Sequence, residues 1–310
     1  MVGIIDLGSN TVRLNIYQYK NQDLIPFSTR KETLGLASYV DPYQNLTPEG
    51  IQKAIEVVRL FHQMAKQARV KQLFVIATAS LRNVKNGMLV KKMIEDATGI
   101  DVDLLSGEDE ALADFYGVKM TEEFNEGFVI DIGGASTEIV EYADGEIKHA
   151  FALPIGSLSA YMRHVEKIIP KKEELNEIKN EVLLHLKHLN IEFGSHEKLY
   201  GVGGTLRATK KLNAHFMGEL IENQVISRKT VKQIMDKVLS DDKDAIVDVI
   251  RLIPERIHTI LPGMTILKTI AKVLNVEQII VENYGVREGY LYQKVILPDL
   301  EKAKVYESIS

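Results

Sequence analysis

The chain has 310 residues, 45% of them hydrophobic, with no cysteine and with 38 basic against 43 acidic side chains. That length and apolar content support a sizeable core and two domains rather than one. A net charge of -5 excludes a global attraction to nucleic acid, anionic lipid or phosphate chains, so an anionic substrate requires locally placed cations. The lack of cysteine excludes disulfides, thiolate metal sites and thiol nucleophiles and fits a reducing compartment, with the cytoplasm as the expected location.

The chain opens on a strand-like run, Val2-Gly3-Ile4-Ile5, without a basic leader. Its apolar runs, such as residues 73–77 and 279–281, suit buried strands and fall far short of the ~20 residues that span a bilayer. No membrane insertion is expected. Thr47 as N-cap, Pro48 at the first helical position and the spacing of Ile51, Ile55, Val58 and Phe61 predict a helix. A buried strand at 73–77 follows, then a helix over 88–97 that Gly99 ends, then a strand within 100–105. Strands and helices alternate in this way throughout, which predicts an α/β architecture. Charged helical segments are expected near 174–193 and, as a pair, near 230–250, each exposing one face.

An internal echo organises the chain. Gly3-Ile4-Ile5-Asp6-Leu7-Gly8-Ser9-Asn10-Thr11 resembles Phe128-Val129-Ile130-Asp131-Ile132-Gly133-Gly134-Ala135-Ser136-Thr137. Each is an apolar strand ending in Asp-x-Gly, followed by an alternating strand, a turn (Asn21-Gln22-Asp23; Asp144-Gly145) and another strand. Two copies of one β-meander imply a duplicated domain. The expected division is 1–120 and 121–310, joined by a short polar connection around 121–126, with a C-terminal helix of about 285–310 packing back onto the first domain.

A strand that ends in Asp-x-Gly leaves backbone N–H groups available to an anion, and glycine allows close approach. The aspartate is then placed to hold a divalent cation together with phosphate oxygens. A third loop, Gly201-Val202-Gly203-Gly204-Thr205, lies between a strand-like and a helix-like segment and offers the positive end of a helix. Each loop alone is more often a plain turn; three of them suggest a nucleotide or phosphate cleft between domains. Basic runs at Lys91-Lys92, 163–172 and Lys210-Lys211 are mostly solvated helix faces, and the His185/His188 pair lacks a third ligand, so no zinc site is assigned.

The order of motifs resembles the exopolyphosphatase and guanosine pentaphosphate phosphatase family in its short, two-domain form. The motifs are the Asp6–Leu14 segment, Ala77-Thr78-Ala79-Ser80-Leu81-Arg82-Asn83, Ser106-Gly107-Glu108-Asp109-Glu110-Ala111, Asp131-Ile132-Gly133-Gly134, Gly203-Gly204-Thr205, Pro262-Gly263 and Gly285-Val286-Arg287-Glu288-Gly289. The resemblance implies two ribonuclease H-like domains of the actin-like, acetate and sugar kinase superfold with a cleft between them. It implies Glu110 as catalytic carboxylate, in a first helical turn whose dipole favours the ionised form, and Arg82, in a polar loop, on the terminal phosphate. It further implies Asp131 as the main ligand of Mg2+ (or Mn2+) with Asp6 and Glu110 nearby, and a phosphate cradle of Ser9, Asn10, Gly133, Gly134 and Ser136, with Gly203, Gly204 and Thr205 from the third loop. Arg13 joins this set if its strand turns it that way. Glu108 and Asp109 are expected only to complement the helix dipole.

Two positions depart from the family pattern: Ala135 stands where a third glycine is common, and His258 where an aspartate is usual. The expected activity is release of terminal phosphate from polyphosphate by in-line attack of water, without a covalent intermediate. The alternatives are conversion of guanosine pentaphosphate to tetraphosphate, a small-molecule kinase of the same superfold, and a non-catalytic alarmone or nucleotide sensor. Glu110 and Arg82 weigh against the last two. The expected partners are polyphosphate or guanosine pentaphosphate and a second copy in a homodimer, with neither nucleic acid nor membrane.

Overall fold

The structure is a computed structural model that describes residues 1–121, 123–240 and 243–300. The final part of the C-terminal segment expected as a helix, residues 301–310, lies outside the described residues. The chain forms two compact units: Met1–Ala113 with the described residues from Arg287 onward, and Asp114–Val286.

The first unit contains β1 (Val2–Leu7), β2 (Thr11–Lys20), β3 (Asp23–Thr33), α1 (Pro48–Gln67), β4 (Gln72–Ala77), the short α2 (Ala79–Arg82), α3 (Gly87–Thr98) and β5 (Val102–Leu104), and α4 (Gly107–Lys119) begins in it. The strand order is β3-β2-β1-β4-β5, antiparallel among the first three and parallel from β1 to β5. Helix α1 starts where Thr47 caps it, its side chain accepting from the Gly50 N–H at 3.3 Å. Its apolar stripe and that of α3 cover one sheet face through Ile5, Leu14, Val75, Val58, Phe61 and Ile94.

The second unit continues with β6 (Gly127–Ile132), β7 (Thr137–Ala143), β8 (Glu146–Leu153), α5 (Ser157–His164), α6 (Lys172–Leu189), β9 (Lys198–Val202), α7 (Gly203–Met217), β10 (Val225–Ser227), α8 (Arg228–Leu239), α9 (Lys243–Leu252), α10 (Ile260–Val273) and β11 (Gln278–Val281). Its sheet runs β10-β11-β9-β6-β7-β8. Read from β8, this is the first sheet's pattern of three antiparallel strands followed by two parallel ones, with β10 added at the edge. Both sheets are mixed and flanked by helices, so the fold is α/β and the repeated meander is a repeated supersecondary unit. Helix α10 is apolar around nearly its whole circumference and buried accordingly. No described helix is long and apolar enough to cross a membrane.

The chain passes between the units twice: inside α4, after Ala113, and at the start of α11 (Val286–Leu291), after Val286. The first passage thus falls inside a helix, several residues before the polar connection that composition had marked. Helix α11 continues into a π-helical turn, Tyr292–Ile296. It covers the other face of the first sheet: Tyr290 packs edge-on against Phe74 of β4 at 5.7 Å between ring centres, and its hydroxyl donates to Asp103 of β5.

Candidate active site

In the first unit, Asp6 ends β1, and the strand register sets Arg13 directly opposite it, which puts the two on the same sheet face. The alternation that left Arg13 open is thereby settled in favour of Asp6's side. Gly8 N–H donates to the Thr11 carbonyl at 3.1 Å, closing the turn. The carbonyls of Ser9 and Asn10 brace it, accepting from Ala37 at 3.0 Å and from Leu34 and Gly35 at 3.1 and 2.9 Å. Their N–H groups take no part in these bonds. Burial pushes the Asp6 carboxyl up from the usual range, opposed by the charges of Arg287 and Arg13.

Arg82 lies in a short helix, α2, rather than in a polar loop, because Ala79, Ser80 and Leu81 are buried and the Ser80 hydroxyl donates to the Leu7 carbonyl at the end of β1. Its Nη1 donates to Glu110 Oε2 at 2.7 Å and to the Leu105 carbonyl at 3.2 Å. Glu110 is only 8% exposed, whereas Glu108 and Asp109 on the same turn are exposed. Asp109 closes a reciprocal cap with Ser106: the Ser106 hydroxyl accepts from the Asp109 N–H at 3.0 Å, and the Asp109 carboxylate accepts from the Ser106 N–H at 3.2 Å. Of the three acidic side chains at the start of α4, one caps the helix and one is drawn inward onto an arginine.

In the second unit the turn recurs, with Gly133 N–H donating to the Ser136 carbonyl at 3.0 Å. Here the loop carbonyls are bound by the start of α5: Gly133 O accepts from Ser157 N–H at 2.8 Å and Gly134 O from Leu158 and Ser159 N–H at 2.9 and 2.8 Å. Ser136 is buried. The register sets Glu138, 1% exposed, opposite Asp131, where Arg13 stands opposite Asp6. The residue directly opposite the aspartate therefore differs in charge between the repeats, an arginine in the first and a carboxylate in the second.

The third loop meets the second directly. Gly203 has a φ of +81°, and a Cβ there would overlap Asp131 Oδ1; a Cβ on Gly204 would overlap the Arg256 guanidinium. Glycine is required at Gly203, where the backbone is left-handed, and at Gly204 it lets the backbone lie against the Arg256 side chain as placed. Thr205 is buried and its hydroxyl donates to the Ile132 carbonyl at 2.9 Å, tying the loops together. What Thr205 offers a ligand is its backbone N–H at the start of α7.

The motifs assign no role to Arg256, which follows Glu255 and precedes His258. Burial draws its pKa down, while Glu255 and Asp131 oppose that. Nearby His258 packs edge-on against Tyr161 at 5.1 Å, and burial and the Arg256 charge hold its pKa below the usual histidine value. The motifs include Arg287 and Glu288 but give no sign of their cluster with Asn15 and Tyr17 beside Asp6. Of the basic runs, Lys91 and Lys92 pair along α3 with Glu95 and Asp96.

Among the described residues, no three His, Cys, Asp or Glu side chains are grouped so as to hold a metal by themselves. Magnesium is usually held by one or two carboxylates together with substrate phosphate oxygens and water. An all-oxygen set of Asp131 beside Glu138, against a glycine backbone that a Cβ would displace, fits that chemistry.

The sequence model of the Ppx/GppA phosphatase family matches residues 15–297. A Vibrio cholerae protein named guanosine-5'-triphosphate,3'-diphosphate pyrophosphatase is 25% identical over 298 residues, 94% of this chain and 58% of its own. Exopolyphosphatase 1 of Mycobacterium bovis is 31% identical over 159 residues, 50% of this chain and 46% of its own. The chain thus spans about half the length of the curated relatives it matches. Among solved structures, an Aquifex aeolicus Ppx/GppA family member superposes with a TM-score of 0.79 at 23% identity, covering 96% of this chain and 98% of that one. An exopolyphosphatase from Cytophaga hutchinsonii superposes with a TM-score of 0.82 at 22% identity, covering 94% and 97%. At these identities the structures establish the shared fold.

Proposed function

Because this chain belongs to the Ppx/GppA phosphatase family, we propose that it is an exopolyphosphatase that releases terminal phosphate from inorganic polyphosphate. Hydrolysis of phosphoanhydride bonds is the activity of the family as a whole; the choice of polyphosphate is the proposal. The observation that supports hydrolysis is the Arg82–Glu110 pair at 2.7 Å at the start of α4, since a kinase or a sensor built on the same loops needs no buried carboxylate there.

In this reading Glu110 orients a water molecule in line with the terminal phosphorus and accepts its proton as the P–O bond forms. Arg82, which donates to Glu110, supplies the positive charge that meets the terminal phosphoryl oxygens. The N–H groups of Ser9 and Asn10, those that follow Gly133 in the second turn, and those of the α7 N-terminus donate to the remaining oxygens. Mg2+ or Mn2+, when bound, neutralises phosphate charge as a Lewis acid. Asp131 would hold it, with Asp6 and Glu110 assisting. The second carboxylate opposite Asp131 supports that ranking.

The similarity to the Vibrio protein runs along nearly the whole chain and favours a second reading, conversion of guanosine pentaphosphate to tetraphosphate by the same residues. Phosphate release from long polyphosphate, short polyphosphate and guanosine pentaphosphate, with Mg2+ or Mn2+, separates the two. Wild type is expected to be fastest on polyphosphate, and Glu110→Gln to lose about 100-fold or more on it, within the usual range for a general base. A mutant equal to wild type refutes the role of Glu110. Faster turnover of guanosine pentaphosphate selects the second reading, and tight alarmone binding without turnover of any substrate selects a sensor.

A further inference from the structure

Register sets Val2, Ile4 and Asp6 of β1 opposite Tyr17, Asn15 and Arg13 of β2, so all six lie on one face of the first sheet. Helix α11 brings Arg287 and Glu288 to that face. The Tyr17 hydroxyl donates to Glu288 Oε1, Asn15 Nδ2 donates to the Tyr17 hydroxyl at 3.0 Å, and Arg287 Nη1 donates to Asn15 Oδ1 at 3.3 Å. Arg287 Nε stands 4.0 Å from Asp6 Oδ2. Asn15, Tyr17, Arg287 and Glu288 are all at most 9% exposed.

Four buried polar groups hydrogen-bonded in series are costly unless every member is satisfied, and once satisfied they fix one arrangement. This chain of bonds begins at a carboxylate, Glu288, and ends at a guanidinium beside another carboxylate, Asp6. Bonds run through both ends of the Asn15 amide, which fixes which way it faces. With Asn15 fixed, Arg287 Nη1 is tied to it, and Nε stands on the Asp6 side at ion-pair distance. The Gly285-Val286-Arg287-Glu288-Gly289 motif, which the catalytic reading leaves without a task, supplies both charged ends of this series.

We infer that Arg287 is a positioning residue for Asp6, held in place by Glu288 through Tyr17 and Asn15, and that it sets the direction in which Asp6 presents its free oxygen. The inference rests on the proposed reading of Asp6 as a carboxylate that assists the metal. Groups that orient a metal's carboxylates typically contribute 10- to 100-fold to affinity or activity.

The test is Mn2+ binding to the intact protein, followed by electron paramagnetic resonance without substrate, beside kcat and KM on polyphosphate, for Asp6→Asn, Arg287→Gln, Arg287→Lys, Tyr17→Phe and the double variant Asp6→Asn/Arg287→Gln. Arg287→Gln is expected to weaken Mn2+ binding about 10- to 100-fold, with KM at saturating Mn2+ close to wild type. Arg287→Lys should recover part of the loss, and Tyr17→Phe, which keeps the ring, should show a smaller loss in the same direction. The double variant should bind no worse than Asp6→Asn alone, the signature of two groups acting as one. If Asp6→Asn weakens binding while folded Arg287→Gln and Tyr17→Phe bind as wild type, or if the double variant loses the product of both single effects, the positioning role is overturned and the reading of Asp6 stands. If Asp6→Asn itself leaves Mn2+ binding and kcat unchanged, both fall.

Discussion

Gly203 and Gly99 both have left-handed backbone, with φ of +81° and +69°, yet only the first has a neighbour in the way: a Cβ on Gly99 meets nothing within 4 Å, and one on Gly203 meets Asp131. Alanine at either site carries the conformational cost of a non-glycine residue there, roughly 1–3 kcal/mol. Gly203→Ala must in addition displace the Asp131 carboxylate. Displacements of about 1 Å in a reacting site can cost about 100-fold in rate, so kcat is expected to fall by about that factor in Gly203→Ala and to stay at wild type in Gly99→Ala, while thermal melts show comparable destabilisation. Equal kcat in the two variants would remove Asp131 from the chemistry. At this scale the sequence told most where a residue's task follows from its immediate neighbours. Asp6, Asp131 and the loop glycines announce themselves by strand-then-turn spacing, whereas Arg256 and Tyr17 acquire partners only through folding: Tyr17 and Glu288 are 271 positions apart.

At the scale of elements, α5 and α6 are joined by an ionic cluster outside the candidate site. Glu181 is hydrogen-bonded to His164 Nε2 at 2.5 Å and ion-paired with Arg163 Nη2 at 2.7 Å, and His185 Nε2 lies 3.4 Å away. Burial pushes the Glu181 carboxyl up, but the His164 hydrogen bond and the Arg163 charge more than offset it, and its pKa lies below the usual glutamate value. A carboxyl depressed in the folded state contributes stability that is fully present above its unfolded pKa and is lost as pH falls through the folded value. Urea unfolding between pH 6 and pH 3 should therefore show an acid-side loss that Glu181→Gln reduces; an unchanged slope would mean that the cluster contributes nothing. The helical periodicity of α6 was readable, with His185 on its partly exposed side. That Glu181 gathers two histidines and an arginine was not, because α5 supplies half of the cluster.

For the whole molecule, the repeat was legible because both copies keep the same strand, turn and strand chemistry, down to the Gly8–Thr11 and Gly133–Ser136 bonds at 3.1 and 3.0 Å. The division between units was less so. A helix that continues across it leaves no glycine, proline or polar run to mark the place, and α4 reads simply as one helix. Helix α11 buries one face of the first sheet through Tyr290, Arg287 and Glu288, so a chain ending at Val286 should lose amide protection in β1, β2 and β4 while α10 and β9 of the second unit stay protected. Hydrogen exchange read by mass spectrometry checks this, and uniform protection in the shortened chain would show that α11 is dispensable to the first sheet.

The return of α11 to the first unit also orders events in time. The second unit is one uninterrupted stretch, Asp114–Val286, complete before Arg287 has been translated, whereas the first, although its strands are made before it, lacks the cover of one sheet face until α11 follows. On the ribosome, the unit whose strands are made earlier is finished later, and while the whole second unit is made Asp6 stands on an unfinished surface without Arg287, the arginine that α11 will bring to face it.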